Sequence, residues 1–255
     1  MCLNNPLISV IIPVYNGAAF LTAAIETIRQ QLYEPLEIII IDDGSTDNTG
    51  QIAADLGRDI RYIFQSNAGP AAARNTGLLL ASGQVIAFLD VDDLWAQNRL
   101  CTQVECLTLH PAVDIVQGLI QDLELVSSPQ IPSTFAPVSD PYYSINLGSA
   151  IYRRQVFDQV GLFDESLRYN EDMDWFIRAW DHHLNKKQLA EVALFYRKHE
   201  GNMTNQRNSK QAGFVWLLKK RLDQHRRNSR LPNQPSYQPP ASQPVSLTEY
   251  LGWRK

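Results

Sequence analysis

Three groups of carboxylates punctuate the chain: IDDGSTDNTG at residues 41 to 50, FLDVDDLW at 88 to 95, and NEDMDWFIRAW at 170 to 180. Carboxylates placed just past two apolar strands can hold a nucleotide and a divalent cation, and a third set opening a helix can take up a proton. An ionised carboxylate only accepts hydrogen bonds, so Asp42 or Asp43 can pair with the N3 proton of uracil or thymine, while Gly44 lets the backbone approach closely. The competing reading makes Asp43-Gly44 a plain turn, with Asp47 or Thr49 capping the next helix. Asp90, Asp92 and Asp93 crowd three carboxylates into four residues, a density that is costly without a cation. In extended chain Asp90 and Asp92 point to the same side, and hard ions such as Mn²⁺ or Mg²⁺ prefer oxygen ligands. With so few protein ligands, the ion would bind mainly as a nucleotide complex. The competing reading places these acids at the N-terminus of a helix spanning 97 to 109, where its dipole favours them. In the third group Asn170 is a good N-cap, and Glu171, Asp172 and Asp174 fall in the first turn, which accounts for them structurally. Yet Trp175, Phe176 and Trp180 anchor the same helix, so Asp172 can also be held rigidly as a general base.

The elements that must position these groups follow from periodicity. LISVIIPVYN is an apolar, β-branched run stopped by Pro13, and Phe20 to Leu32 puts Leu21, Ile25, Ile28 and Leu32 on one helical face. EIIIIDDGST is a continuous apolar strand, as in a parallel sheet buried on both faces, ending in Asp-Gly turn chemistry. RYIFQS is a third strand, GPAAARNTGLLLASG a helix closed by Gly83, and QVIAFLDVDD a fourth strand running into acids. Repeated βα units make this an α/β fold. VDIVQGLIQDLELV is strand-like, residues 127 to 145 form a Pro- and Ser-rich excursion, and KKQLAEVALFYRKHEG gives one or two strands.

With 255 residues and 44% hydrophobic content, the chain can bury one large core. We read residues 1–227 as one catalytic domain, with a nucleotide-binding half (1–110) and an acceptor-side half (111–227). No run approaches the length of a spanning helix, and MCLNNPLISV lacks the regions of a signal peptide, so a cytoplasmic protein is expected. Three cysteines, Cys2, Cys101 and Cys106, have no paired metal spacing and read as reduced structural thiols. Net charge is −4, but residues 197 to 230 carry ten Lys or Arg against two acids. Within this basic end, Phe214, Leu217, Leu218 and Leu222 recur at helical spacing. Segment 210–227 can therefore rest peripherally on the anionic inner membrane face or simply pack on the domain. Residues 231 to 245 hold five prolines and no charge, so 228–255 read as a disordered tail with little to bury.

Taken in order, SVIIPVYNGAAFLTAAIETI, EIIIIDDGSTDNT, NAGPAAARNTGLLLASGQVIAFLDVDDLW, GSAIYRRQVFDQVGLFDESL and NEDMDWFIRAW resemble the successive motifs of glycosyltransferase family 2, over about residues 7 to 205. The resemblance implies a GT-A type nucleotide-diphospho-sugar transferase fold: a Rossmann-like, mostly parallel mixed sheet flanked by helices. It implies an inverting enzyme that uses a nucleotide-sugar donor, UDP- or dTDP-linked on the reading of Asp43, with Mn²⁺ or Mg²⁺. The acceptor would be a saccharide or lipid-linked hydroxyl, as in polysaccharide or glycolipid synthesis, with no nucleic-acid partner. Pro13, Val14 and Tyr15 match the segment lining the base pocket, Asp43 the base-recognising carboxylate, and Arg74 the basic residue near the nucleotide. Asp90, Asp92 and Asp93 match the DxDD segment, with Asp92 and Asp93 nearest ribose and metal. Asp172, with Glu171 before it, matches the base of the ED pair. Tyr196, Arg197 and His199 resemble a YRxH segment that approaches diphosphate or metal, which assigns Arg197 to the diphosphate and His199 to the metal. Two rivals remain. A sugar nucleotidyltransferase shares the fold but needs a Gly-rich loop with Arg and Lys that is not found here, and a noncatalytic sugar-nucleotide-binding protein would not need every carboxylate retained.

Overall fold

The computed structural model describes residues 5–128, 131–202 and 250–251. Segment 210–227 and its membrane reading lie outside these residues. The first half alternates strand and helix: β1 (Ile8–Val14), α1 (Leu21–Arg29), β2 (Leu36–Asp42), α2 (Thr49–Asp55), β3 (Ile60–Phe64), α3 (Pro70–Leu80) and β4 (Val85–Phe88). After a two-residue strand β5 (Leu94–Trp95) come α4 (Arg99–Leu109), β6 (Ile115–Ser128), β7 (Ile131–Pro137), β8 (Ala150–Arg153), α5 (Gln155–Val160), α6 (Glu171–Asp181) and β9 (Lys186–Lys198).

All described strands join one sheet in the order β3-β2-β1-β4-β8-β6-β9-β5, with β7 paired to β6. β3, β2, β1 and β4 run parallel. From β4 onward the sheet turns mixed, since β8 pairs antiparallel with both β4 and β6, and β9 runs parallel to β6. The Pro- and Ser-rich excursion is in large part the β6–β7 hairpin, and the stretch after α6 is the single strand β9.

The uninterrupted apolar strands are explained by burial on both faces. Ile11, Ile39, Ile41, Ile86 and Phe88 face a core shared with α3, α5 and α6, whereas Val10, Ile12, Ile38, Ile40 and Ala87 face one shared with α1 and α4. Helix α3 lies so close to the sheet that a Cβ on Gly77 would come 2.3 Å from Ile11 Cγ2. Sequence-based helix ends need adjusting. Leu32 has left his helix, α1, for a positive φ of 49°, and α3 stops at Leu80, so Gly83 does not close it.

Of the 228–255 tail, only Tyr250 and Leu251 are described, and both are buried in the core beside α6. The expectation that this stretch has little to bury does not extend to these two positions. Lys186, at the start of β9, lies with its ammonium 4.9 Å from the Tyr250 ring centre and 5.5 Å from that of Phe176, and it donates to Gln117 Oε1 at 3.0 Å. Burial pulls the Lys186 ammonium down to about 7. The Tyr250 hydroxyl is buried without a hydrogen-bond partner among the described residues. Tyr250→Ala is therefore expected to lower stability by roughly 3–5 kcal/mol, the range for truncating a buried aromatic. Tyr250→Phe should be neutral or stabilising, because it removes an unsatisfied hydroxyl. Urea denaturation of the two variants separates a packed residue from a loosely resting one.

Candidate active site

The carboxyl ends of β1, β2 and β4 carry the first two acidic groups. At the first, PVYN and DGSTDNT are zipped together by hydrogen bonds that periodicity cannot reveal. Asn16 N–H donates to Ser45 Oγ at 2.8 Å, Asn16 Oδ1 accepts Thr46 N–H at 2.8 Å, and Gly17 N–H donates to Thr49 Oγ1 at 3.0 Å. Asp47 accepts Ala18 N–H at 3.1 Å and the Thr49 N–H at 3.0 Å, so it does secure the start of α2. Asp42 is buried and accepts Ser45 N–H at 2.7 Å and the Tyr62 hydroxyl at 2.6 Å, which makes it a structural group. Tyr62's hydroxyl is pushed up by burial and by that carboxylate.

Asp43 organises the loop that leads into α3. Its Oδ1 accepts Gln65 Nε2 at 2.7 Å and Ala68 N–H at 2.9 Å, and its Oδ2 accepts Gly69 N–H at 2.8 Å. Gly44, at φ 83°, permits the approach, since a Cβ there would come 2.9 Å from Asn67 N. The turn reading of Asp43-Gly44 thus holds, and Oδ2 still has a lone pair to offer a ligand. Pro13 and Val14 are buried at the end of β1, whereas Tyr15 is 53% exposed.

The second group is not extended. β4 ends at Phe88, and Asp93 N–H donates back to the Asp90 carbonyl at 3.0 Å, closing a turn. Alternation applies only within a strand, so the turn removes the ground for placing Asp90 and Asp92 on one side, and each carboxylate has its own protein partners. Asp90 bonds Arg74, while Asp92 Oδ2 lies 3.2 Å from His199 Nε2 and accepts Asn202 Nδ2 at 3.1 Å. Asp93 is buried and accepts Arg197 N–H at 3.2 Å. Burial, then the neighbouring carboxylates, raises the pKa of Asp93 well above and that of Asp92 above the ordinary carboxylate range. The rival reading of these acids as a helix N-terminus also falls. α4 begins only at Arg99, beyond β5, and has no acid in its first turn.

Arg197 supports this turn from below. Its guanidinium donates to the Asp92 and Val91 carbonyls and lies 4.9 Å and 5.6 Å from the ring centres of Phe20 and Phe135. Those two bonds use Nε and Nη2, so the diphosphate role expected of Arg197 would fall to the remaining N–H donors of the guanidinium. Burial, partly offset by Asp93 and Asp92, lowers its pKa. His199 stacks on Phe20 with ring centres 4.6 Å apart. Phe20, Phe135, Gln65 and Asn202 escaped the sequence reading, and only the place of Asn202, three residues past His199, offered a signal.

Arg74 joins the second group to the third. Buried in α3, it donates to Asp90 Oδ1 at 2.7 Å and to Glu171 Oε1 at 2.6 Å. Burial alone would depress its pKa, but the two carboxylates outweigh that and raise it. Trp175, buried among Tyr152, Phe157 and Phe163 and donating to the Gly161 carbonyl at 3.0 Å, fixes the first turn of α6. Asn170 holds the N-cap position with φ 61° but forms no side-chain cap, and its Nδ2 is buried without a hydrogen-bond partner among the described residues. The three acids of that turn then divide. Glu171 pairs with Arg74 and Asp174 with Arg178 at 2.8 Å, whereas half-buried Asp172 has no ion-pair partner among the described residues and accepts only Met173 N–H at 2.7 Å. Burial, then the adjacent Glu171, pushes the Asp172 carboxyl up to about 7.

Strand-end carboxylates, an arginine bridge and one unpaired first-turn acid recur in order along a chain whose residues 9–225 match the model for glycosyl transferase family 2. The chain belongs to glycosyl transferase family 2. It is 31% identical over 222 residues to an uncharacterized glycosyltransferase of Rickettsia typhi, covering 79% of this chain and 67% of that protein. It is 30% identical over 217 residues to the uncharacterized glycosyltransferase EpsJ of Bacillus subtilis, covering 78% and 63%. Among solved structures, the mannosyltransferase PcManGT of Pyrobaculum calidifontis, in complex with GDP-Man and Mn²⁺, aligns with a TM-score of 0.65 at 19% identity, over 91% of this chain and 67% of that one. S. aureus TarS 1-349, in complex with UDP-GlcNAc, aligns with a TM-score of 0.63 at 24% identity, over 78% and 60%. The fold of this family member is thus of GT-A type. Its matched part spans between 58% and 67% of the length of the first curated relatives.

For a cation, the residues fit in part. No group of three or more His, Cys, Asp and Glu among the described residues is arranged to hold one, and Asp93 is turned inward to Arg197. Asp92 and His199 remain as a side-by-side pair of ligand types. Two protein ligands suit an ion that brings substrate phosphates with it. No described helix is long and apolar enough to cross a membrane.

Proposed function

We propose that this glycosyltransferase moves a sugar from a nucleotide-diphosphate donor, UDP- or dTDP-linked, to an acceptor hydroxyl with inversion at the anomeric carbon. The observation that carries the reading is the division of labour among the first-turn acids of α6. Glu171 and Asp174 are ion-paired, and Asp172 alone is left with a carboxyl raised toward neutrality, as a general base working near pH 7 requires. In this reading Asp172 takes the proton from the acceptor hydroxyl as its oxygen attacks opposite the leaving diphosphate, so one displacement inverts configuration. Arg74 holds Glu171 and Asp90 together, keeping the base and the donor loop in register. Asp43 sets the loop before α3 and, with exposed Tyr15, receives the base. Asp92 and His199 would hold Mn²⁺ or Mg²⁺, which would neutralise charge growing on the departing diphosphate.

Support comes from PcManGT, bound to GDP-Man and Mn²⁺, and from TarS, bound to UDP-GlcNAc. Residues 1–227 form the catalytic unit in this proposal, and a saccharide or lipid-linked acceptor in cell-surface polysaccharide or glycolipid synthesis completes it, with segment 210–227 as the peripheral membrane contact.

Chelation tests the metal. Excess EDTA is expected to abolish transfer, and Mn²⁺ to restore it. Asp92→Ala should lose the thermal stabilisation that a nucleoside diphosphate with Mn²⁺ gives the wild-type protein, which by mass action is about 2.7 kcal/mol at a hundredfold excess over Kd. Full turnover in EDTA would remove the cation from the mechanism. A panel of UDP, dTDP and GDP read the same way names the base.

A further inference from the structure

Asn202 is buried just past β9, only 5% exposed, and its side chain is committed on every side. Nδ2 donates to Asp92 Oδ2 at 3.1 Å and to the Arg197 carbonyl at 3.1 Å, while Oδ1 accepts His199 N–H at 2.5 Å. The Asn202 backbone N–H donates to the His199 carbonyl at 3.1 Å, closing the turn on itself. One amide therefore ties three neighbours: the carboxylate of Asp92, the backbone of His199 and the strand end that carries Arg197.

This geometry has a chemical result. The amide engages Oδ2 of Asp92, the same oxygen that faces His199 Nε2 at 3.2 Å, so the orientation of the carboxylate is fixed and Oδ1 is the less encumbered oxygen. It also holds the His199 main chain so that the ring stays stacked on Phe20. A primary amide does both without carrying charge, whereas a lysine or arginine there would cancel the negative charge that draws a cation. Groups that orient ligands in this way commonly matter nearly as much as the ligands themselves.

We propose that Asn202 is a positioning residue of the donor site, aiming Asp92 and His199 together at a divalent cation carried by a nucleoside diphosphate. The inference rests on the sugar-transfer reading, and its test separates the two. The wild type, Asn202→Ala, Asn202→Ser and Asp92→Ala are titrated with Mn²⁺ in the presence of UDP, following the free-ion electron paramagnetic resonance signal, and with UDP at fixed Mn²⁺ by calorimetry. Both Asn202 variants are expected to weaken Mn²⁺ binding roughly 10–100-fold, as removal of an outer partner does. Losing a buried amide with three side-chain hydrogen bonds should lower the melting temperatures by several degrees while leaving both variants folded at the assay temperature, and saturating Mn²⁺ should return UDP affinity to the wild-type value. That rescue is the readout a merely structural residue would not give. Unchanged Mn²⁺ affinity in both variants, or a loss of UDP binding that saturating Mn²⁺ does not restore, overturns the positioning role. If Asp92→Ala loses Mn²⁺ while Asn202→Ala keeps it, only this inference fails. If Asp92→Ala binds Mn²⁺ and UDP like the wild type, the metal reading of the donor site fails with it.

Discussion

Asp172→Asn is expected to leave nucleotide binding nearly intact and to cut sugar transfer by roughly 100-fold or more, the loss that follows removal of a general base. The amide keeps the shape of the side chain in the first turn of α6 but cannot accept the acceptor's proton. Because burial and Glu171 raise the Asp172 carboxyl to about 7, the base form is lost as pH falls through that value. The kcat/KM of the wild-type enzyme should therefore rise with pH through about 7 and level off above it, and a profile that is flat between pH 5 and pH 8 would sink the assignment. Stability runs the other way. The folded protein holds this proton more tightly than the unfolded chain, so the contribution is fully present below the ordinary carboxylate pKa and is lost as pH rises to about 7. Asp172→Asn should consequently unfold no earlier than the wild type at pH 8 while being nearly inactive. Early unfolding of the variant there would show that the carboxylate is structural.

Arg74→Met should be the most damaging single substitution for the fold of the site. The guanidinium and Glu171 are 7% and 10% exposed, so that half of the bridge is buried, whereas the Asp90 carboxylate is 37% exposed and more easily rehydrated. Leaving Glu171 buried and unpaired costs about 3–5 kcal/mol. For a chain of this size that corresponds to a fall in melting temperature on the order of 10 °C. Arg74 also lowers the Asp172 pKa through space, so its loss should move the pH profile toward alkaline values. Arg74→Lys should recover only part of the stability, because a single ammonium cannot span both carboxylates as the planar fork does. A variant as stable as the wild type, with an unmoved profile, would mean that Arg74 does not link the two acidic groups.

The parallel half of the sheet was legible because its strands are apolar on both faces. A run such as EIIII has no other stable home, and the acids that interrupt it must lie at its carboxyl end. The placement of Asp172, the proposed base, was legible for a related reason, since it opens a helix whose tryptophan at 175 is buried in the core. What the chain order hid was partnership across long separations. Nothing in FLDVDD tells that Asp90 turns to Arg74 while Asp92 turns to His199 and Asn202, because those partners arrive from α3 and from beyond β9. The surroundings of Arg197 were hidden likewise: the YRxH resemblance points it at a diphosphate, but nothing in the chain order tells that its guanidinium lies near the rings of Phe20 and Phe135 and donates to the Asp92 and Val91 carbonyls. The Asn170 cap failed for a local reason, because a left-handed φ of 61° turns the side chain away from the N–H groups it was expected to take.

Tyr250 and Leu251 give the order of synthesis a role. When β9 has left the ribosome, every described strand and helix has been made, yet the apolar ground beside Phe176 and Lys186 still lacks its cover. The growing chain therefore presents its described strands and helices before residues 250 and 251 emerge to join the core beside α6. An expression fragment that stops at residue 225, where the family match ends, would lack these two core residues permanently.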